Sequence, residues 1–169
     1  HLLLTDEYVE SYDPVFKVNP PLRTKRDVEA LREGLADGTI DIVATDHAPH
    51  PLEAKDCEWN AAAFGMVGLE TAFSIGYMTM VKSGLISLST LLERMSSKPA
   101  EIGRYADHGS LDVGTRANFF LANLSQEWTV DRAALHSKSR NTPFHSMRLP
   151  GQVMMTFHNG ALVFDREAH

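Results

Sequence analysis

The chain has 169 residues, of which 43% are hydrophobic and 22% charged, and a formal net charge of -6. That is enough apolar material for one medium domain with a real core, and the acidic balance offers no basic field for nucleic acid or an anionic membrane. No apolar run approaches the roughly 18 residues of a membrane span, so a soluble, globular chain without nucleic-acid or membrane partners is expected.

The chain opens on His1-Leu2-Leu3-Leu4, which reads like the inside of a buried strand, so a piece of a longer protein is expected. Thr24-Lys25-Arg26-Asp27 resembles a capping box with aspartate in the N3 place, and Val28, Leu31 and Leu35 follow at helical spacing. This pattern predicts a helix over about 24–36, stopped by Gly38. Ile40 to Ala44 is a short, mostly apolar run of the kind that forms a strand buried on both faces of a parallel sheet.

Residues 45–66 show no periodicity yet carry His47, His50, Glu53, Asp56 and Trp59, the texture of a long polar loop that serves a site. A helix is predicted over 67–81, with Leu69, Phe73 and Met80 on one side. Ser87 caps another that carries Leu88, Leu91, Leu92 and Met95. From Gly109 onward the chain turns to β-like runs at 118–122 and 152–158, with a turn at Asn159-Gly160 leading into Ala161-Leu162-Val163-Phe164. The expected division is therefore 1–108 and a small β subdomain over 109–169.

Several features carry no chemistry of their own. The methionines read as adaptable core filler. Gly65-Met66-Val67-Gly68 lacks the lysine of a phosphate loop. The single cysteine, Cys57, can form neither an internal disulfide nor a thiolate metal cluster, which fits a reducing cytoplasm.

The stretch ATDHAPH, residues 44–50, is different. Asp46 follows the predicted strand, and the C-terminal rim of such strands is where catalytic groups of parallel α/β barrels sit. A carboxylate there can ligate a divalent metal and take a proton from water, or it can simply cap or pair. His47 and His50 stand three apart in a proline-interrupted loop, a spacing that does not impose joint chelation. Pro49 and Pro51 restrict the backbone on both sides of His50, which favours its use as a substrate contact.

Asp46-His47-Ala48-Pro49-His50 resembles the second signature of the dihydroorotase family, within the amidohydrolase superfamily. The resemblance extends to Lys17-Val18-Asn19-Pro20-Pro21-Leu22-Arg23, to Phe64-Gly65-Met66-Val67-Gly68-Leu69-Glu70 and to Ser137-Lys138-Ser139-Arg140-Asn141-Thr142-Pro143-Phe144, in the order of the bacterial type I enzymes. It implies an α/β fold, namely the C-terminal part of a (β/α)8 TIM barrel plus the C-terminal share of a small β domain. It also implies zinc-dependent, reversible closure of N-carbamoyl-L-aspartate to L-dihydroorotate in pyrimidine biosynthesis. By resemblance, Asp46 would ligate zinc and shuttle the proton. Asn19 and His50 would bind substrate, His50 at its carboxylate end, and the backbone of Phe64 and Gly65 would line the ring.

The same resemblance implies one or two zinc ions in the complete enzyme, a homo-oligomer, and an upstream part of the enzyme that carries the remaining ligands. A lone aspartate cannot hold zinc. Two other readings stand beside it: a dihydropyrimidinase, hydantoinase or allantoinase, and a non-catalytic scaffold for aspartate carbamoyltransferase. His50 in its Ala-Pro-His context favours a carboxylated ring.

Overall fold

The computed structural model describes residues 1–168. Short 3-10 turns at Asp6–Ser11 and Pro14–Phe16 lead to helix α1, Lys25–Asp37. The capping box forms as its sequence predicts, with the Thr24 hydroxyl accepting from the Asp27 amide and the Asp27 carboxylate accepting from the Thr24 amide. Val28 and Leu35 give α1 its buried face, and Gly38 ends it in the left-handed region at φ 90°.

The strand expected at Ile40 to Ala44 is not present: among the described residues this stretch has no strand beside it. Its amides go elsewhere, Ile40 to the Gly34 carbonyl at 2.8 Å and Val43 to the Arg94 carbonyl at 3.0 Å. Apolar composition supports a strand only where a neighbour completes the ladder. Residues 45–66 form the long loop expected of them, with one 3-10 turn at Leu52–Ala54.

Helix α2, Leu69–Gly76, runs on through a π turn at Tyr77–Val81. It begins later than its apolar pattern predicts because Gly68 takes a non-helical φ of -135° as the N-cap, while the Val67 amide donates to the Asn141 carbonyl at 3.1 Å. Helix α3, Leu88–Leu92, is capped by Ser87 and continues through a second π turn, Glu93–Ser97, into α4, Lys98–Ile102. Gly76 lets this second helical run approach, since a β-carbon there would stand 3.0 Å from Leu91 Cδ1.

Strands β1 (Phe119–Thr129), β2 (Arg148–His158) and β3 (Ala161–Asp165) form an antiparallel sheet in that order. Strand β1 outruns the predicted 118–122 because pairing with β2 continues to Thr129↔Arg148, with a register shift between Asn123 and Glu127. Asn159 and Gly160 both take positive φ in the β2–β3 turn, as an Asn-Gly hairpin requires. The sheet docks on α2 through Ser74, whose hydroxyl donates to the Gly151 carbonyl at 2.6 Å and accepts from the Trp128 indole at 3.1 Å. Leu4, Val18 and Leu22 form one buried cluster with Val130, Phe144 and Leu149, so early and late segments share a core.

Candidate active site

A cavity of about 300 Å³ opens between the first residues of the chain, the 18–22 segment, the 43–46 segment and the start of α2. Leu4, Val18, Val67, Ile75 and Phe144 make it mostly apolar, and Asn19, Thr45 and Asp46 supply polar groups. A small organic ligand suits such a lining, with few polar groups to orient it. Asn19, Asp46 and Gly65 therefore meet at one cavity, whereas His50 and Phe64 are not among its lining residues and adjoin it through Gly65.

Asp46 is exposed and sits in the left-handed backbone region at φ 38°, a sparsely populated conformation for a residue with a β-carbon. His47 beside it turns toward α2: its Nδ1 accepts from the Gly68 amide at 3.2 Å and the Leu69 amide at 3.4 Å. The Ala48 amide donates to the Met66 carbonyl at 3.0 Å. His50 Nε2 lies 2.8 Å from the Phe64 carbonyl, and because a carbonyl only accepts, that nitrogen carries the proton. The Phe64 ring is exposed and lies 4.6 Å from the Lys17 ammonium.

Gly65 is fixed from several directions. Its amide donates to the Lys17 carbonyl at 2.9 Å, and its carbonyl accepts from Lys55 Nζ at 2.9 Å and Asn141 Nδ2 at 3.2 Å. At φ 130°, a β-carbon here would stand 2.5 Å from Ala48 Cβ, so only glycine fits. The Gly65 backbone lines the cavity with its polar groups already engaged inside the chain.

Lys55 and Asn141 were not singled out by sequence reasoning. Lys55 is buried and donates to the carbonyls of Lys17, Ala63 and Gly65. Burial lowers its pKa, the nearby Lys17 charge adds to that, and Asp13 and Cys57 oppose it. Asn141, also buried, belongs to the family-like run over 137–144, but a lysine in a polar loop carries no signal that separates a buried strut from a solvated charge.

Glu70, in the first turn of α2, accepts from the amides of His136 and Ser137 and from His136 Nδ1. Partial burial would raise its carboxyl pKa, yet these hydrogen bonds outweigh burial and hold it below the ordinary value. This ties the start of α2 to the loop before Asn141.

Zinc makes a sharper demand. Among the described residues no three His, Cys, Asp or Glu side chains gather to hold a metal ion, and the Nδ1 of His47 and Nε2 of His50 already have protein partners. The residues of this chain do not by themselves fit a zinc ion.

Residues 15–163 match the family model described as the amidohydrolase family. The dihydroorotase of Streptomyces coelicolor is 60% identical over 161 residues, 95% of this chain and 38% of that protein. The dihydroorotase of Leifsonia xyli is 54% identical over 167 residues, 98% of this chain and 38% of that protein. The chain thus spans about 38% of the length of these curated relatives. Among solved structures, the L-hydantoinase of Arthrobacter aurescens superposes with a TM-score of 0.89 at 33% identity, over 96% of this chain and 37% of that one.

Proposed function

The chain belongs to the amidohydrolase family, and from that premise we propose that it is the C-terminal part of a dihydroorotase, one that interconverts N-carbamoyl-L-aspartate and L-dihydroorotate. The carrying observation is that Asp46, Asn19 and Gly65 line one mostly apolar cavity in a chain 60% identical to a dihydroorotase. The fold in this reading is the last part of a (β/α)8 barrel. Residues 1–108 belong to the barrel, and 109–169 form a small β subdomain that contains the whole three-stranded sheet and sends residues 130–147 back to the core.

In the ring-opening direction a water oxygen adds to the ring amide carbonyl, the carbon–nitrogen bond breaks, and the nitrogen leaves with a proton. Asp46 takes the proton from the attacking water and returns it to the departing nitrogen, a general base and then a general acid. Ring closure reverses each step and releases water. Asn19 donates to the ring substituents, His50 meets the carboxylate, and the Gly65 backbone, with Phe64 before it, forms a rigid wall that excludes water. Zinc, one or two ions in the complete protein, would supply Lewis-acid chemistry, with Asp46 the one ligand contributed by this segment. A cytoplasmic homo-oligomer completes the reading.

The likeness to the hydantoinase of Arthrobacter aurescens favours a second reading, a cyclic amidohydrolase of uncarboxylated rings. Turnover of dihydroorotate, hydantoin and dihydrouracil by the complete metal-loaded protein separates the two. The proposal expects dihydroorotate to be preferred, and Asp46→Asn to lower kcat by at least about 10²- to 10⁴-fold. Preference for hydantoin overturns the first reading, and near-normal turnover by Asp46→Asn overturns the role of Asp46.

A further inference from the structure

Asp46 stands between two residues that are both pinned to the start of α2. On one side, Thr45 packs so closely on Gly68 that an added β-carbon would lie 3.1 Å from the Thr45 carbonyl oxygen and 3.6 Å from Thr45 Cβ. On the other, His47 Nδ1 accepts from the Gly68 and Leu69 amides, and the next amide, Ala48, is held by Met66. Among the described residues the Asp46 carboxylate has no hydrogen bond or ion pair, so within this chain its backbone, at φ 38°, is what limits the directions it can take.

We propose that His47 is a positioning residue: its ring caps α2 and so holds Asp46 in the left-handed conformation that aims the carboxylate at the cavity. Backbone amides only donate, so Nδ1 must be the unprotonated nitrogen and the ring proton sits on Nε2. Gly68, the residue preceding α2, provides no side-chain cap of its own, and the imidazole takes the place that serine or aspartate usually fills. Without that acceptor, two amides lose their partner and the backbone around Asp46 is free to relax toward an ordinary conformation. The carboxylate then misses the reacting atoms, and displacement of about 1 Å can cost about a hundredfold in rate.

The inference rests on the reading of Asp46 as the proton-transferring group, and its test keeps the two apart. In the complete protein, His47→Asn places an amide oxygen where Nδ1 stands, whereas His47→Gln places one where Nε2 stands. The first readout, independent of activity, is hydrogen-exchange protection of the Gly68 and Leu69 amides. The second is kcat and KM for dihydroorotate with metal content measured alongside. The expected result is protection and most of kcat retained in His47→Asn, and both lost in His47→Gln, with kcat per bound metal down about a hundredfold and KM little changed.

Gly68→Ala strains the same junction from the Thr45 side with His47 intact. It is expected to lower kcat in the same sense, which keeps the test open where His47→Gln folds poorly. Rescue by Gln rather than Asn, with metal lost from the Asn variant, would make Nε2 a ligand and overturn the proposal. Equal behaviour of the two variants would overturn it as well. A wild-type protein inert toward dihydroorotate overturns the dihydroorotase reading, while the amide-protection pattern still decides the clamp.

Discussion

The Asn141 side-chain amide joins two carbonyls far from it in sequence, donating to Ala48 at 2.9 Å and to Gly65 at 3.2 Å, while its oxygen accepts from the His50 amide at 3.4 Å. Each hydrogen-bonding position used by this buried side chain faces a group that lies beside the cavity. Asn141→Leu keeps the branched shape and leaves the Ala48 carbonyl without its donor. We expect a loss of about 2 kcal/mol, the cost of stranding a buried polar group. Urea unfolding of the complete protein would show this as a lower midpoint at unchanged slope. Asn141→Asp is expected to be worse, since it sets a carboxylate oxygen against a carbonyl.

Glu70 ties acid stability to the 136–137 loop. Its folded pKa is depressed, so its contribution is present above the unfolded carboxylate value of 4.5 and is lost as pH falls through the lower folded value. Glu70→Gln is expected to flatten the decline in stability below about pH 4.5 relative to the wild type. Thermal melts of both proteins across that range check the sign: a steeper decline in the variant would show that the hydrogen bonds from His136 and Ser137 do not favour the charged form.

The wall beside His50 makes its substrate role testable apart from metal binding. With Nε2 donating to Phe64, the nitrogen left for a substrate carboxylate is Nδ1, which donates only from the imidazolium. His50→Ala is expected to raise KM and reduce kcat/KM for dihydroorotate by roughly tenfold to a hundredfold, the loss of a charge-assisted hydrogen bond, with metal content unchanged. Dihydrouracil, lacking the carboxylate, is expected to suffer a smaller penalty. Equal penalties with lost metal would assign His50 to the metal instead.

The isolated 169-residue chain is expected to bind zinc weakly and to leave dihydroorotate unchanged, because a zinc site needs at least three protein ligands and Asp46 is the one the reading supplies. Equilibrium dialysis followed by metal analysis is the measurement. Stoichiometric, chelator-resistant zinc would mean that this chain holds ligands among residues other than those named.

Local rules were the legible part of this molecule. Thr24, Asp27 and Gly38 declare both ends of α1 because capping depends on side chains next to the helix, and Asn159-Gly160 declares its hairpin for the same reason. Ile40 to Ala44 misled because a ladder belongs to two segments, and the partner is not written in the run itself. Of the expected site, Asn19, Asp46 and Gly65 do come to one cavity. The left-handed turn at Asp46 and the burial of Lys55 were invisible, since both are created by contacts from segments remote in sequence. The π turns at Tyr77–Val81 and Glu93–Ser97 were hidden too, because an apolar helical stripe reads the same whether or not one turn is widened.

The buried cluster that joins Leu4, Val18 and Leu22 to Val130, Phe144 and Leu149 straddles the long exposed stretch around Val113. A protease cut there would sever the covalent chain without separating the halves, since the six apolar residues, together with the Ser74 to Gly151 bond, hold one piece against the other. Limited digestion would therefore give two bands under denaturing conditions and a single species under native ones. The same division predicts that two halves refolded together recover a fold that neither recovers alone, because each brings half of one core.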